Sequence, residues 1–462
     1  METVIKTVKQ YSYPLEEEIV KELAFIGNQY KNVKNYVYSR FSGINSILLL
    51  LTPRKIRDEW VESEFYKQWK LPARYWKLAL SEAISNIKTS WTNLKKKIRV
   101  ISRMNERLSD VDIHYINYIL KNDDLYFKTL TRKKSVIPKK FKDKNLGFRY
   151  LHNLIRRYTR KYKSKMPYSK NSTSFMIDSG LYRYDSEGNI LVTSTKKGSR
   201  LKIKLRDKNI YNKNLRIKLN ESKIEIHKPL EIKKKTNTNT NIIGIDKGYR
   251  CLFAVSTNHY YGENLNHLLS TETERLNNKN IQRNRLYALC QKYVDDNKPK
   301  KALNILANNL GKQKYKRHKN KHDETVKSLI NKNISDLIEK EAPKEIVMEN
   351  LDFVSWNGRY PKSVRRKLSR WIKGYIRERL EYKCEYNNIK YSYINPAYTS
   401  QVCSVCGSFG SRVSDEFTCN RCGRINADYN ASVNILNRLE DRDINLYTNY
   451  KKVKIILQNR LF

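Results

Sequence analysis

No run in this chain of 462 residues is long enough to span a bilayer as a helix: the longest apolar stretch, Ile47–Leu51, falls far short of the roughly 20 residues required. The N-terminal METVIKTVKQYSYPLEEE also lacks the apolar core and small-residue cleavage site of an export signal. These absences predict an intracellular protein, in cytoplasm or nucleoid (or a nucleus, for a eukaryotic or viral source), with no membrane partner. Acids are scarce as well. Asp and Glu total 46 against 93 Lys and Arg, a formal net charge of +47. So large an excess repels itself unless a polyanion neutralises part of it, which makes nucleic acid the expected partner. An AT-rich genome would inflate Lys, Asn, Ile and Tyr, but it also has Asp and Glu codons, so it does not explain the missing acids. Cysteine is sparse and odd in number: seven in all, with four between positions 403 and 422. In a reducing compartment such crowding suggests metal rather than disulfides. No internal repeat is evident.

What is present begins with helical rhythm. Ile19, Leu23, Ile26, Tyr30, Val33 and Val37 recur at alternating spacings of four and three, one face of a long helix. Leu80, Ile84, Ile87, Trp91, Leu94 and Ile98 repeat it. Residues 132–165 hold fourteen Lys or Arg and one acid, Asp143. Arg156, Arg157, Arg160 and Lys161 fall on a predicted helix there, interleaved with Tyr150, Tyr158 and Tyr162. This is the arrangement expected of a stripe that follows phosphates and offers rings to bases, against the plainer reading of a solvated face. Between 173 and 233 the period becomes two, in Leu201, Ile203, Leu205, then Leu215, Ile217, Leu219, then Ile224 and Ile226. Turn residues separate the runs, so a small antiparallel β-domain is predicted, with Lys202, Lys204, Arg216 and Lys218 pointing outward. The polar run KKKTNTNT, residues 233–240, reads as a linker. After it come two strands about a Gly248 turn, a long basic helical stretch over about 272–340 ended by Pro343, the strand EIVMEN, and a helix over about 364–387 with Leu368, Ile372, Tyr375, Ile376 and Leu380 buried. That order is α/β.

Two motifs carry chemistry. Cys403-x-x-Cys406 and Cys419-x-x-Cys422 are separated by twelve residues. Each CxxC turn aims two thiolates at one ion, and two turns close a tetrahedral Zn²⁺ site. With four sulfur ligands no position stays open, so this zinc is expected to be structural. Cys251, Cys290 and Cys384 are expected to be buried small hydrophobes. The second motif is a set of acids in unsuitable surroundings. Asp246 ends the apolar strand Ile242-Ile243-Gly244-Ile245, and Glu349 ends Ile346-Val347-Met348; an acid buried without a charged partner costs several kcal/mol. Asp428 opens a helix, where an N-cap is the competing explanation. Three acids on neighbouring elements can hold two divalent cations about 4 Å apart, and all-oxygen ligation suits Mg²⁺ or Mn²⁺. The residues alone therefore point to a metal-dependent phosphodiesterase acting on nucleic acid.

GIDKG, the strand ending IVMENL, YTSQVCSVCG with its second CxxCG, and ADYNASVNIL, in that order, resemble the three RuvC motifs and zinc finger of the TnpB family of RNA-guided nucleases, which includes transposon TnpB, Fanzor proteins and miniature type V CRISPR effectors. The resemblance covers residues 242 to about 437; Lys247 and Asn426 depart from its usual pattern. It implies that Asp246, Glu349 and Asp428 are the catalytic, magnesium-binding acids. It also implies a multidomain α+β fold. A wedge β-barrel would take its first strand from residues 1–14, with a helical recognition domain at 15–130 and a basic segment and the rest of the wedge at 131–235. A linker at 236–240 would lead to an RNase H-like (RuvC) domain at 241–398 and 425–440, with a zinc finger at 399–424 and a tail at 441–462. The implied partners are a guide RNA and target DNA chosen by base pairing next to a short flanking motif, with a monomer or a homodimer on one guide. A transposase or a guide-dependent repressor without cleavage are the competing functions. The order Asp, Glu, Asp and retention of all three acids favour the nuclease.

Overall fold

The computed structural model describes residues 2–142, 144–170, 173–248, 251–311, 313–351 and 370–460. The chain divides into two compact units, Ile5–Ile232 and Met1–Val4 with Lys233–Phe462.

In the first unit, strand β1 (Thr3–Tyr11) leads into helices α1 (Glu17–Phe41), α2 (Pro53–Glu62) and α3 (Ala73–Arg103). The two apolar rhythms become the seams of α1 and α3, with Leu23, Ile26, Tyr30, Val33 and Val37 facing Leu80, Ile84, Ile87, Trp91, Leu94 and Ile98 in one buried cluster. Ile19, near the N-terminal end of α1, is only partly buried. Glu82 of α3 sits inside this seam, accepting from the Tyr30 hydroxyl (2.8 Å) and pairing with Lys34 (2.6 Å) and Arg216 (3.0 Å). Helices α4 (Asp110–Lys121), α5 (Asp123–Thr131), α6 (Lys139–Lys142) and α7 (Phe148–Tyr162) follow. Ser109 starts α4 with a reciprocal capping box to Asp112, which satisfies two backbone donors at once. Strands β2 (Ser174–Ile177), β3 (Tyr182–Tyr184), β4 (Ile190–Thr193), β5 (Arg200–Ile203), β6 (Leu215–Asn220) and β7 (Lys223–Lys233) complete the unit. The predicted barrel is not one continuous ladder among the described residues. The strands form two sheets, ordered β1-β7-β6-β2 and β3-β4-β5, and an isolated bridge pairs Ser12 with Leu205.

The second unit is built on a five-stranded sheet. Its elements are β8 (Asn241–Asp246), β9 (Phe253–Val255), β10 (Tyr260–Tyr261), α8 (Asn264–Asp295), α9 (Pro299–Asn308), α10 (Gln313–Glu341), β11 (Pro343–Glu349), α11 (Arg370–Tyr386) and β12 (Lys390–Ile394). After these come β13 (Ser411–Val413), β14 (Glu416–Cys419), β15 (Gly423–Asn426), α12 (Ala427–Asn437) and α13 (Tyr450–Asn459). The sheet order is β10-β9-β8-β11-β12, antiparallel through the hairpins and parallel where β11 joins β8 and β12. Successive side chains of a strand face opposite ways, and both faces are covered. Ile243, Ile245, Ile346 and Met348 pack with Val326, Ile330, Ile334 and Leu337 of α10 and with Ile376, Leu380 and Cys384 of α11. Val347 packs on the other side with Ile435 of α12.

Several expectations become more specific here. The basic helical stretch is three helices, because Pro299 opens a new helix after Asn297 takes a left-handed backbone (φ 59°) and a second break precedes Gln313. Pro343 is the first residue of β11, which lacks no bond the strand needs from it at that end. Of the stripe on α11, Ile376 and Leu380 are buried, while Leu368 and the Ile372 side chain lie outside the described residues. Cys251, Cys290 and Cys384 are buried as expected. The tail forms α13, whose Val453 and Leu457 pack on Val402 and Ile444. No described helix is long and apolar enough to cross a membrane.

Candidate catalytic and zinc centres

The placement of the acids follows from strand parity. Asp246 and Glu349 are the last residues of adjacent parallel strands, in register through Ile245 and Met348. Both share the parity of Val347 and Gly244, so both project to the α12 side of the sheet. Helix α12 comes unusually close there. A Cβ on Gly244 would lie 2.3 Å from the Ser432 carbonyl oxygen and 2.7 Å from the Leu436 nitrogen, so only glycine admits the helix at this depth. The first turn of α12 then brings Asp428 to the same cleft, which is lined by Asp246, Glu349, Asp428, Lys247, Ser400 and Arg412. Asp428 is not the N-cap: Asn426 caps the helix, accepting from the Asp428 and Tyr429 backbone N–H groups at 3.0 Å. Its carboxylate is left to face the cleft and takes an Nη2–H bond from Arg412 at 2.5 Å.

Burial, and then the carboxylates of Glu349 and Asp428, push the Asp246 carboxyl up to about 7; Arg412 and Lys247 oppose this only in part. Glu349 accepts from the Thr399 hydroxyl at 2.5 Å. Three mutually repelling oxygen donors in one cleft fit hard divalent cations, which supply the missing positive charge.

At the cysteine centre the four ligand atoms of Cys403, Cys406, Cys419 and Cys422 lie within 4.8 Å of one another. Among the described residues this is the only such group whose ligand atoms are gathered this closely; the three acids line one cleft without being gathered as tightly. Cys406 Sγ and Cys419 Sγ are 3.5 Å apart, close to the roughly 3.8 Å that a tetrahedron with 2.3 Å Zn–S bonds requires. Gly407 and Gly423 adopt positive φ (73° and 82°) directly after each pair. The Gly407 N–H bonds the Cys403 carbonyl at 2.9 Å and the Cys403 N–H bonds Ser408 O at 2.8 Å, closing the first knuckle. The donor set, spacing and turn geometry all fit Zn²⁺.

The basic helix α7 presents part of its predicted stripe to solvent. Arg157, Arg160 and Lys161 are exposed, whereas Arg156 is half-buried and donates to the Thr129 carbonyl (2.9 Å) and to Asn153. Tyr158 is a correction: only 9 % exposed, with its hydroxyl accepting from Asn105, it presents no ring to a base. Tyr162 is half-buried, with Lys97 and Lys161 within cation–π range of its ring, and Tyr150 is exposed. In the β-strands Arg216 is drawn to Glu82, and Lys202 pairs with Asp185 and Glu187. Sequence reasoning missed Arg412, Thr399, Asn430 and Asn434. Arg412 stands 16 residues before its partner Asp428 on a separate hairpin, and no local signal marks it.

A family model described as the Cas12f1-like TNB domain matches residues 374–435. The CRISPR-associated endodeoxyribonuclease Cas12f1 of Sulfoacidibacillus thermotolerans is 36% identical over 116 residues, 24% of this chain and 26% of that protein. The TnpB-like protein MJ0751 of Methanocaldococcus jannaschii is 29% identical over 154 residues, 31% of this chain and 51% of that protein. The matches thus span about a quarter and about half of the lengths of these curated relatives. A cryo-EM structure of a Cas12f1–sgRNA–target DNA complex aligns over 94% of this chain and 98% of its own, at 15% identity and a TM-score of 0.36.

Proposed function

We propose that this chain, which belongs to the family uniting TnpB-like proteins with the miniature type V CRISPR effectors, is an RNA-guided DNA endonuclease that hydrolyses phosphodiester bonds at a single RuvC-like centre. The observation that carries the reading is the convergence of Asp246, Glu349 and Asp428 from two strand ends and one helix start on one cleft. In this reading the sheet β8–β12 with α10, α11 and α12 is the RNase H-like domain, and β13–β15 is its inserted zinc ribbon.

Each residue has a task that its position suits. Asp246, Glu349 and Asp428 hold the cations, with Thr399 fixing one oxygen of Glu349. Arg412, on the ribbon, lies against Asp428 and within reach of a phosphate oxygen bound at the acids. Divalent cations, when bound, supply Lewis acidity that lowers the pKa of a water and neutralises charge on the leaving oxygen. The exposed cations of α7 contact RNA phosphates, so binding weakens steeply as salt rises. Base pairing with the guide selects the target beside a short flanking motif, and the one centre cuts the two strands in turn.

The test is to co-express the protein with the RNA encoded beside its gene, sequence what copurifies, and assay cleavage of matched DNA with Mg²⁺. Guide-dependent cleavage by wild type that vanishes in Asp246→Ala is the expected result. Guide-dependent binding without cleavage by either protein would replace this reading with that of a repressor.

A further inference from the structure

Four residues, Thr399–Val402, connect the acidic cleft to the first zinc ligand. At one end the Thr399 hydroxyl donates to Glu349 Oε1. At the other, Val402 is followed at once by Cys403. Both ends are held by one helix, the same α12 that carries Asp428. Asn434 Nδ2 donates to the carbonyls of Thr399 (2.9 Å) and Val402 (2.6 Å). Asn430 Nδ2 donates to the Val402 carbonyl (2.8 Å), and its Oδ1 accepts from the Ser404 N–H (2.7 Å), a group lying between the two ligands of the first knuckle. Thr399 is 1 % exposed and Asn430 is fully buried. Beneath the segment Val402 packs with Ile444, Val453 and Leu457, so its other side is also fixed.

A buried carboxamide that uses both its donor and its acceptor has little freedom to move, because an unmade bond in that setting is costly. Asn430 therefore ties the position of α12 to the closed form of the Cys403–Cys406 turn. That form places the Ser404 N–H. Without an ion, four sulfurs this close have nothing to gather them, and the turn can open. The Ser404 N–H and the Val402 carbonyl would then shift together, and with them Thr399 at the far end of the segment.

We propose that Thr399–Val402 is a coupling strap: Thr399, Asn430 and Asn434 are positioning residues that align Glu349 and Asp428 with the closed cysteine turn, so that zinc occupancy sets the affinity of the acids for divalent cations. The proposal rests on the reading that the three acids bind such cations. It assigns the ribbon a second task beyond stabilising its own fold. By reciprocity of linked equilibria, a divalent cation at the acids also tightens zinc by the same factor.

The experiment uses the full chain and needs no guide RNA. Free Mn²⁺ is followed by electron paramagnetic resonance during titration, with Asp246→Ala defining the background sites, and zinc is counted by atomic emission. Thr399→Val is expected to keep its zinc and bind Mn²⁺ about 10-fold more weakly, the usual scale for loss of a hydrogen bond behind a metal ligand, with Thr399→Ser restoring wild-type affinity. Zinc-stripped wild type that retains its helical circular dichroism is expected to show a similar loss, reversed on adding zinc. Wild-type Mn²⁺ affinity in Thr399→Val, or in the stripped and still helical protein, would overturn the coupling. If wild type cuts no DNA but these Mn²⁺ differences appear, the nuclease reading falls and the strap stands.

Discussion

Glu82 in the first unit and Asp246 in the second are both carboxylates drawn among apolar side chains, and they titrate in opposite directions. Burial alone would raise Glu82, but Lys34, Arg216 and the Tyr30 hydroxyl outweigh it and bring the carboxyl below its ordinary 4.5. At Asp246 burial is reinforced by two further carboxylates and only partly opposed by Arg412 and Lys247, so the carboxyl rises from 3.8 to about 7. The first acid is matched by the chain's own cations and serves the fold. The second is mismatched, in a protein with a surplus of cations to offer, and a mismatch retained in a cleft marks a place completed by something from outside.

Exchanging the roles of the two acids tests this contrast. The largest effect is expected from Asp246→Asn, which should reduce guide-dependent cleavage to background while leaving the melting temperature in EDTA at pH 8 unchanged or raised, since it removes one of three like charges. A drop of several degrees would show instead that Asp246 holds the fold together. Glu82→Ala should do the reverse, destabilising the first unit by about 3 kcal/mol because Lys34 loses its buried partner. Urea melts followed through Mn²⁺ binding would show the acidic centre intact in the folded fraction.

The pH dependence sharpens the same point. Because Glu82 titrates lower in the folded chain than when unfolded, its contribution is present above about 4.5 and is lost as pH falls through its folded value. Glu82→Gln should flatten that acid limb in melts taken at successive pH values, and an unchanged limb would assign it to other groups. The smallest effect is expected on the solvated face: replacing Arg157, Arg160 and Lys161 one at a time by Ala should weaken RNA binding modestly and lower the salt slope by about 1 each. No change in slope in filter-binding titrations would leave that face merely solvated.

The parts of the fold legible in the sequence were those in which a single periodicity dominates. The seams of α1 and α3 and the runs around Ile217 and Ile226 are of this kind, because burial on one face imposes a fixed repeat. The cysteine cluster was legible because four identical ligands at short spacing have few other uses. The acids drew notice as charges at the ends of apolar strands, and strand parity explains why Asp246 and Glu349 reach one cleft. What escaped depends on contacts between distant residues. Tyr158 looks like its exposed neighbours until α7 is packed against the rest of its unit. Asn426 takes the capping role that Asp428 might have had through a two-residue shift, which helix-start rules do not resolve. Arg412 and Asn430 act across folded loops, and Arg156 is drawn back to its own unit by Thr129.

The close approach at Gly244 has a consequence for mutational surveys. Every other amino acid carries a Cβ, and here that atom would be driven to 2.3 Å from the Ser432 carbonyl oxygen, in the helix that delivers Asp428. Gly43, by contrast, has open space where its Cβ would lie. In a library sampling all residues at both positions, active clones should be reduced to glycine at 244 and remain diverse at 43, so the shape of the cleft could be read from a table of surviving sequences.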